Sequence, residues 1–451
     1  MSDTFQLAPQ IAELPLSILD TDLYKLTMQN AVLHHFPDAV VVFRFTNRNP
    51  AMLFSRECFN WILEHVNKLS TVSLTPAERS ALSAACPYFP DTYLDFLTSL
   101  RLNPQEEVVL TFHPETPDGK WGKIECVIRG LWRVCILYEV PIMSIVSEGY
   151  FKFVDTDWNL EGFQDKAKRK ALDMLSPPTP ITPLVFSEFG TRRRRSFHVH
   201  DLVIRGLIEG TREHAALGKT GGALAGTSNV YLALKYGVKP SGTIAHEWIM
   251  AIGAIFGYKG ANGRAMDMWE EVYPRDVPEP APLTMLTDTF TAQAFFVDFI
   301  ASPSRALRWG ALRQDSGDPF TFAGEAKQAY AEVEKLAGVD NGGVVAKGKR
   351  VVFSDGLDVE KAIALQKVCD EIGMSAAFGI GTSLTNDFMK ASDPSQVSKP
   401  LNIVIKLSEI NGLDCVKLSD DKGKYTGNVE EVRRVQHELG LPGEHEGTRR
   451  G

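Results

Sequence analysis

Four consecutive arginines, at positions 192–195, directly follow the apolar run LVFSEFG and stand where the sequence predicts the start of a helix. A helix N-terminus favours anions, and the guanidinium group binds phosphate through two parallel hydrogen bonds. This position therefore predicts phosphate binding, above all for Arg192. Taken alone, however, the four arginines favour a solvated basic surface or a nuclear targeting signal.

A second polar segment, RQDSGDP (313–319), brings Arg313, Asp315 and Asp318 into one short loop after another apolar run. Carboxylates in such a loop can hold ribose hydroxyls or a Mg²⁺ ion that bridges a diphosphate. The same residues also describe an ordinary turn in which an aspartate caps the following helix. By itself, the segment supports both interpretations equally.

Two glycine-bearing segments, FSDGLD (353–358) and AFGIGTSLTND (377–387), also follow apolar runs. Glycine allows backbone N–H groups to approach a phosphate closely. GIGT lacks the third glycine of the dinucleotide-binding motif, so that motif is not predicted. Each signal is weak alone, but three polar loops at successive strand ends indicate one phosphorylated ligand.

His246 stands in GTIAHEW, an otherwise apolar stretch. The metalloprotease motif H-E-x-x-H would need a histidine at position 250, where the chain has Met250, so a zinc site is not predicted. A single histidine among apolar residues is more often a hydrogen-bonded core residue than a catalyst. The local sequence therefore favours a structural role for His246.

The predicted elements give these loops a common framework. An apolar run, a polar loop and an amphipathic helix follow one another in three units, which begin at residues 184, 309 and 349. This order is typical of parallel strands with crossover helices, in a doubly wound sheet or a β/α barrel. In both folds ligands bind at the carboxyl ends of the strands, so we expect the loops to meet at one site.

The flanking regions follow other patterns. Up to about residue 141, strand-like runs such as 39–45 alternate with amphipathic helices such as 59–69, which predicts an α/β unit. Prolines between 177 and 183 mark a boundary or entry loop. Residues 401–425 alternate like a hairpin with Asn411 and Gly412 at its turn, and we expect the polar tail after Val435 to be loosely held.

Composition limits the class of protein. A chain of 451 residues with 44% hydrophobic and 23% charged side chains is ordinary for two or three folded domains. The net charge of −8 and pI near 5.8 argue against a general nucleic-acid or membrane-surface binder, and no apolar run predicts a membrane span. Six widely spaced cysteines suit reduced thiols, so we expect a cytoplasmic protein, with a nuclear share left open by the arginine run.

A set of segments occurs in the following order along the chain: TDLYKLTM, SEFGTRRR, GTSN, GTIAHEW, LTDTF, RQDSGD, FSDGLD and FGIGTSLTND. In these segments and in their order, the chain strongly resembles the nicotinate phosphoribosyltransferases. The resemblance spans roughly residues 17–425 and implies an α/β fold, an irregular β/α barrel of the type II phosphoribosyltransferase kind packed with an open-faced α/β sandwich. It implies an N-terminal sandwich domain (1–141), a barrel with the site (142–395), and C-terminal strands that return to the N-terminal domain, plus the tail (396–451).

The same resemblance implies an enzyme of NAD salvage. It would transfer phosphoribosyl from 5-phosphoribosyl 1-diphosphate to nicotinate, giving nicotinate mononucleotide and diphosphate, with coupled ATP hydrolysis and Mg²⁺. It also implies a homodimer with shared active sites, in which Tyr24 comes from a second subunit. Neither nucleic acid nor a membrane is an expected partner.

The resemblance also assigns roles to substrate-binding residues. Tyr24 and Phe189 would stack on the pyridine ring, and Thr243, in a strand before the histidine, would help to line the nicotinate pocket. Arg192 and Arg313 would face the phosphates and the substrate carboxylate. Asp315 would hold the ribose or a Mg²⁺ ion. The 5′-phosphate would lie in a nest formed by Ser354, Gly356, Gly381 and Thr382.

His246 matches the phosphohistidine of the family, which reverses the interpretation that its surroundings favour. Its imidazole would attack the γ-phosphate of ATP and would be oriented by Asp288 in LTDTF. Together with Asp315, these two are the expected catalytic residues.

Ser228 in GTSN is expected to select the acceptor. Nicotinamide phosphoribosyltransferases typically carry an aspartate there, which would accept hydrogen bonds from an amide but repel a carboxylate. A hydroxyl can donate to a carboxylate, so nicotinate is expected. A nicotinamide phosphoribosyltransferase and a noncatalytic protein that senses phosphate or a nucleotide remain alternatives.

Overall fold

The computed structural model describes residues 14–177, 181–339, 348–421 and 424–441. The helices in these ranges are α1 Leu23–His35, α2 Arg56–Asn67, α3 Pro76–Ala85, α4 Asp91–Ser99, α5 Pro104–Glu107, α6 Trp132–Cys135, α7 Glu139–Phe153, α8 Phe163–Leu175, α9 Phe197–Ala216, α10 Val230–Tyr236, α11 His246–Phe256, α12 Ala261–Val272, α13 Ala292–Ile300, α14 Pro303–Arg308, α15 Pro319–Leu336, α16 Val359–Ile372, α17 Thr382–Thr385 and α18 Val429–Glu438. The strands are β1 Val40–Asn47, β2 Phe54–Ser55, β3 Val108–Pro114, β4 Trp121–Leu131, β5 Val185–Glu188, β6 Ala223–Thr227, β7 Thr284–Leu286, β8 Ala311–Gln314, β9 Arg350–Phe353, β10 Ser375–Ile380, β11 Phe388–Met389, β12 Val397–Ser398, β13 Ile403–Ile410 and β14 Leu413–Asp414.

An antiparallel sheet combines strands from both ends of the chain. Its order is β14-β13-β1-β4-β2, with β3 also paired to β4. Strand β13 pairs with β1 from Ile403 opposite Asn47 to Ile410 opposite Val41. The predicted hairpin turn is present, because Asn411 and Gly412 both have positive φ and Ile410 pairs with Leu413 across them. The boundaries of the three expected domains stay a prediction.

The second large sheet is parallel and has the order β6-β5-β10-β9-β8-β7. The three predicted strand–loop–helix units are confirmed as β5 with α9, β8 with α15 and β9 with α16. Neighbouring strands are all parallel, so their carboxyl ends, at Glu188, Gln314, Phe353 and Ile380, lie at one edge. This is the edge where the polar loops were expected to meet.

An irregular segment, residues 239–243, links the two edge strands of this sheet. It runs beside β6, where the Thr227 N–H donates to the Lys239 carbonyl, and the Thr243 hydroxyl then donates to the Thr284 carbonyl of β7. A Cβ on Gly226 would lie 1.9 Å from the Lys239 oxygen, so only glycine permits this approach. The prediction that Thr243 lies in a strand is therefore wrong, although its hydrogen bond connects β6 to β7.

The arginine run divides into two pairs. Arg194 and Arg195 are fully buried. Arg194 donates two hydrogen bonds to Asp20, at 2.8 and 2.7 Å, and Arg195 donates to Ser398 with its guanidinium 3.6 Å from the Phe151 ring centre. The interpretation of the run as an exposed basic surface or targeting signal is therefore wrong for these two, because both side chains are buried and bonded inside the protein.

Buried apolar side chains from both sheets form one continuous core. Trp132–Phe153 is the one described helical stretch long and apolar enough to cross a membrane, but 78% of an apolar 18-residue window within it is buried inside the protein, as in a core helix. All six cysteines are buried and unpaired, as expected for reduced thiols.

The expectation of a loose tail after Val435 is wrong for its first residues. Helix α18 continues to Glu438, whose carboxylate accepts hydrogen bonds from the backbone of Tyr258 and Lys259. The buried side chains of Val432 and Val435 anchor this helix to the core. Residues 442–451 lie outside the described ranges.

Replacing Arg194 by methionine should lower the free energy of unfolding by about 3–5 kcal/mol, because Asp20 would keep a buried charge without its ionic partner. Urea unfolding at pH 7 measures the difference. Arg212→Met, at an exposed position of α9, is the control and should change stability by less than about 0.5 kcal/mol. A loss no larger than that of the control would contradict the structural role of Arg194.

Candidate active site

A cavity of about 910 Å³ lies between the carboxyl edge of the parallel sheet and strand β13 of the antiparallel sheet. It brings together most of the residues that the sequence predicts for the site. These are Tyr24, Phe189, Arg192, His246, Arg313, Asp315, Ser354, Gly356, Gly381 and Thr382. Ser228, Thr243 and Asp288 are not among its lining residues.

His246 is the first residue of α11, and both of its ring nitrogens have partners. Nε2 lies 3.1 Å from Oδ2 of Asp315, and Nδ1 lies 3.0 Å from the Thr289 hydroxyl. An ionised carboxylate only accepts hydrogen bonds, so we assign the proton to Nε2 and the lone pair to Nδ1. Burial, with the nearby charge of Lys417, lowers the pKa of His246 to about 4. The imidazole is therefore neutral at pH 7, the form that can act as a nucleophile.

Asp288 does not hydrogen-bond to His246 as the sequence predicts. Its Oδ1 lies 3.9 Å from Nε2 of the histidine, while Oδ2 accepts from the Ser316 hydroxyl and from Nζ of Lys417, at 2.5 and 3.1 Å. The acid at hydrogen-bond distance from the ring is Asp315. Asp288 is almost fully buried and lies behind the histidine, where it balances the charge of Lys417.

Asp315 forms the centre of a hydrogen-bonded group. Its Oδ1 accepts from Nη2 of Arg313 at 2.9 Å and from the Ser354 hydroxyl at 2.6 Å. Arg313 also donates to Ser354 through Nε at 2.8 Å. Burial opposes ionisation of Asp315, but Arg313 and His246 hold its pKa well below the usual range. The carboxylate is therefore charged and fixed in orientation.

Tyr24 and Phe189 supply aromatic rings to the cavity, and Arg192 lies beside the first of them. The Arg192 guanidinium is 5.8 Å from the Tyr24 ring centre. Its nearest carboxylates, Asp22 and Glu139, are 3.7 and 3.5 Å away, and 37% of its side chain is exposed. Arg192 therefore keeps donor capacity for an anion next to an aromatic ring.

Tyr24 lines the cavity of its own chain. Helix α1 is held there by backbone hydrogen bonds, since the Leu23 N–H donates to Ser228 O and the Val230 N–H donates to Thr21 O. The expectation that Tyr24 must come from a second subunit is therefore wrong. A homodimer stays a prediction, but it no longer follows from the geometry of this residue.

Ser228 is fully buried beneath the cavity. Its hydroxyl donates to Oδ1 of Asp22 at 2.7 Å, so it contacts a carboxylate of the protein. The prediction that Ser228 faces the acceptor is wrong in this structure. Asp22 is in turn a neighbour of Arg192, so the serine hydroxyl is connected to the cavity through these two residues.

A buried ion cluster that the sequence analysis missed supports the site. Nζ of Lys25 lies 2.5 Å from Glu247 and also contacts Glu139, and the Trp132 indole donates to Glu247 at 2.5 Å. Lys25 is 1% exposed. The sequence signal was present, because Lys25 and Glu247 are charged residues inside the apolar patterns TDLYKLTM and AHEW.

Further cations line the cavity and were also missed, among them Arg48, Lys406 and Lys417. Burial, with repulsion from Lys417, lowers the pKa of Lys406 to about 7. Arg48 lies on the segment after β1, and the lysines lie on and after β13, so the antiparallel sheet supplies positive charge opposite the loops of the parallel sheet. This arrangement can stabilise a polyanion held between the two.

Two sets of acidic residues bear on metal binding. His246, Asp288 and Asp315 offer ligand atoms within 4.8 Å of one another. Their charges are already balanced by Lys417 and Arg313, so this group does not need a cation. Asp315 and Asp355 both line the cavity, and burial, with the charge of Asp315, raises the pKa of Asp355. Carboxylate oxygens are ligands that Mg²⁺ prefers, so the side chains of Asp315 and Asp355 suit that ion by their chemistry.

Two family models match the chain. Residues 184–443 match the nicotinate phosphoribosyltransferase (NAPRTase) family, and residues 19–147 match the N-terminal domain of the same family. This chain belongs to the nicotinate phosphoribosyltransferase family. The family resemblance expected from the motifs is therefore confirmed.

Relatives of this family cover nearly the whole chain. The chain is 41% identical to the probable nicotinate phosphoribosyltransferase of Schizosaccharomyces pombe, over 94% of this chain and 98% of that protein. A crystal structure of a nicotinate phosphoribosyltransferase from Saccharomyces cerevisiae superposes with a TM-score of 0.87 at 38% identity, over 96% and 100% of the two chains. A structure from Porphyromonas gingivalis gives 0.81 at 37% identity, over 94% and 99%. These matches confirm the type II phosphoribosyltransferase fold.

The pKa of His246 predicts how acid affects stability. The unfolded histidine titrates near 6.5 and the folded one near 4, so between these values the unfolded state binds more protons. Stability should therefore be lost as the pH falls from 6.5 to 4. Unfolding free energies measured at pH 7 and pH 4.5 should show a larger acid loss for the parent protein than for His246→Asn. Equal losses would contradict the low pKa.

Proposed function

We propose that this chain transfers the phosphoribosyl group of 5-phosphoribosyl 1-diphosphate to nicotinate, forming nicotinate mononucleotide and diphosphate in NAD salvage. The observation that carries the proposal is the joint placement of an aromatic pair with Arg192 and of the Asp315 group in one cavity. Membership of the family supports the same activity.

The cavity offers a separate place for each part of the reactants. The pyridine ring would lie with Tyr24 and Phe189, its carboxylate near Arg192. The 5′-phosphate would meet the backbone of Gly381 and Thr382, at the N-terminus of a helical turn that begins one residue after β10. Stacking is worth about 0.5–1.5 kcal/mol beyond burial, so the ring pair mainly orients the nucleophile.

The reaction itself needs orientation and charge stabilisation. The pyridine nitrogen attacks C1 of the ribose as the bond from C1 to the diphosphate oxygen breaks, and the pyridinium nucleotide results. The ribose would lie on Asp315, whose ionised state suits a positively charged transition state. The leaving diphosphate would meet Arg313 and the cations of the antiparallel sheet, Arg48 and Lys406.

Mg²⁺ is part of the proposal. Asp315 and Asp355 would hold it at the cavity, and it would neutralise charge on the diphosphate when bound.

We also propose that His246 is phosphorylated by ATP. The Thr289 hydroxyl would release Nδ1, which would then attack the γ-phosphorus, so that an N–P bond forms while the bond to the β-phosphate oxygen breaks and ADP leaves. Asp315 would hold the Nε2 proton, and Asp288, 3.9 Å from the same nitrogen, would stabilise the positive charge that develops on the ring. The neutral state of His246 at pH 7 supports this role.

The expected homodimer and cytoplasmic location remain proposals. Neither nucleic acid nor a membrane is proposed as a partner, and a nuclear share has lost its sequence basis because two of the four arginines are buried. A nicotinamide phosphoribosyltransferase remains the second candidate. Ser228 does not line the cavity, so this residue gives no preference for the carboxylate of nicotinate over the amide of nicotinamide.

Diphosphate release should be fastest with nicotinate when nicotinate, nicotinamide and quinolinate are compared, each with and without ATP. Arg192→Gln should reduce kcat/KM for nicotinate by about tenfold or more, because the ion pair to the substrate carboxylate is lost, and should affect nicotinamide less. Lys239→Gln, outside the cavity, is the control. Equal losses with both acceptors would contradict the assignment of Arg192 to the carboxylate.

Incubation with γ-labelled ATP should leave an acid-labile, base-stable label on the protein, because a phosphoramidate hydrolyses in acid. His246→Asn should abolish the label and ATP hydrolysis, while slow ATP-independent transfer remains. Asp288→Asn should reduce labelling, and His198→Asn, at an exposed histidine, should not change it. A His246→Asn protein that is labelled like the parent would falsify the phosphohistidine.

Mixing Tyr24→Ala protein with His246→Asn protein should restore no activity, because each cavity contains the tyrosine and the histidine of one chain. Activity of the mixture is measured after co-refolding, with the two variants alone as controls. Recovery towards a quarter of parental activity would instead indicate exchange of Tyr24 between subunits.

A further inference from the structure

A second cavity, of about 990 Å³, lies on the far side of the loop that carries Asp315. We call it the α13–α15 cavity, because its walls are formed by these helices, with Phe296, Ile300 and Phe322 among the lining residues. Ser316 lines both this cavity and the active-site cavity. The two are therefore separated by little more than the loop of residues 315–317.

The lining of the α13–α15 cavity is negative as well as apolar. Asp318, Glu325 and Asp420 contribute carboxylates, and the described lining residues include no lysine, arginine or histidine. Glu325 and Asp318 are exposed, whereas burial raises the pKa of Asp420 to about 6. Apolar walls with acidic groups complement a molecule that has an apolar body and a positive group.

Hydrogen bonds connect this cavity to the catalytic group. The Ser316 hydroxyl accepts from the backbone N–H of Asp420 at 3.0 Å and donates to Asp288 at 2.5 Å. The Asp420 side chain also accepts from the backbone N–H of Ala292, the first residue of α13, at 2.8 Å. A ligand that contacts Asp420 therefore acts on the residues that hold Ser316, and through them on Asp288 beside His246.

We infer that the α13–α15 cavity is a second ligand site, which takes a small organic cation with an apolar or aromatic group, and that its occupant acts on the active site through Ser316. The presence of a ligand site is independent of the proposed function, whereas the action of its occupant on the active site rests on that function. Charge complementarity selects the cation. Exposed Val297 and Leu336 at the cavity would also suit a protein surface, which is an outcome that the test separates.

Calorimetry with three probes of similar size tests the site: 2-phenylethylamine, 2-phenylethanol and 3-phenylpropanoate, with charges of +1, 0 and −1. The amine should bind about five-fold more tightly than the alcohol, and the anion should not bind measurably. Equal binding of the three probes would overturn the cation site. No binding of any probe would also overturn it and would leave the apolar face to a protein partner.

Variants locate the binding. Glu325→Gln should weaken the amine about three-fold and leave the alcohol unchanged, while Glu332→Gln, on the same helix but outside the cavity, should change neither. Gln293→Trp, which we call the filling variant, adds an indole to the α13 wall of the cavity and should weaken amine binding at least about ten-fold. Thr321→Trp, on α15, takes its place if the first variant does not fold. Amine binding that is unchanged in a folded filling variant would overturn the site.

The coupling is measured by diphosphate release from 5-phosphoribosyl 1-diphosphate with nicotinate and ATP. Saturating amine should change the rate at least about two-fold in the parent and not in the filling variant. An unchanged rate in an amine-bound parent overturns the coupling and leaves the binding site standing. If no diphosphate is released under any condition, the proposed function fails, while calorimetry still decides whether the cavity binds the cation.

Discussion

The ion cluster of Lys25, Glu139 and Glu247 is the constraint on which the site depends. It joins the helices α1, α7 and α11, because Nζ of the buried Lys25 contacts the carboxylates of both Glu139 and Glu247. Helix α1 carries Tyr24, one residue before the lysine, and α11 begins at His246, one residue before the glutamate. One set of ionic contacts thus fixes both the residue proposed to stack on the pyridine ring and the residue proposed to take the phosphate. Glu139 extends the same network to Arg192.

The two sheets divide the chemistry between them. The parallel sheet supplies the loops with Asp315, Ser354 and Gly381, where orientation of a sugar phosphate is required. The antiparallel sheet and the residues after it supply Lys406 and Lys417, which keep the local potential positive. The same lysines lower the pKa of His246, with burial as the main cause. A neutral histidine next to an ionised Asp315 is therefore a result of both sheets and not of either alone.

Local patterns in the sequence predicted the strand–loop–helix units, because an apolar run and an amphipathic helix are visible within about twenty residues. The motifs, through their resemblance to a family, also identified most of the cavity residues. Arg194 and Arg195 were misjudged because their partners, Asp20 and Ser398, lie 174 and 203 positions away. Ser228 was misplaced for a similar reason, since its hydroxyl reaches Asp22 across 206 positions. What the sequence did not provide is the set of long-range polar contacts.

The pairing of β1 with β13, which comes from near the end of the chain, has a consequence for biosynthesis. Strand β1 remains without one of its two neighbours until the ribosome has made residues 403–410, close to the end of the chain. During translation the nascent N-terminal half therefore exposes an unsatisfied strand edge for most of the elongation time, a state that favours chaperone engagement. A polypeptide that ends before residue 403 also lacks Lys406 and Lys417, two of the cations that line the cavity.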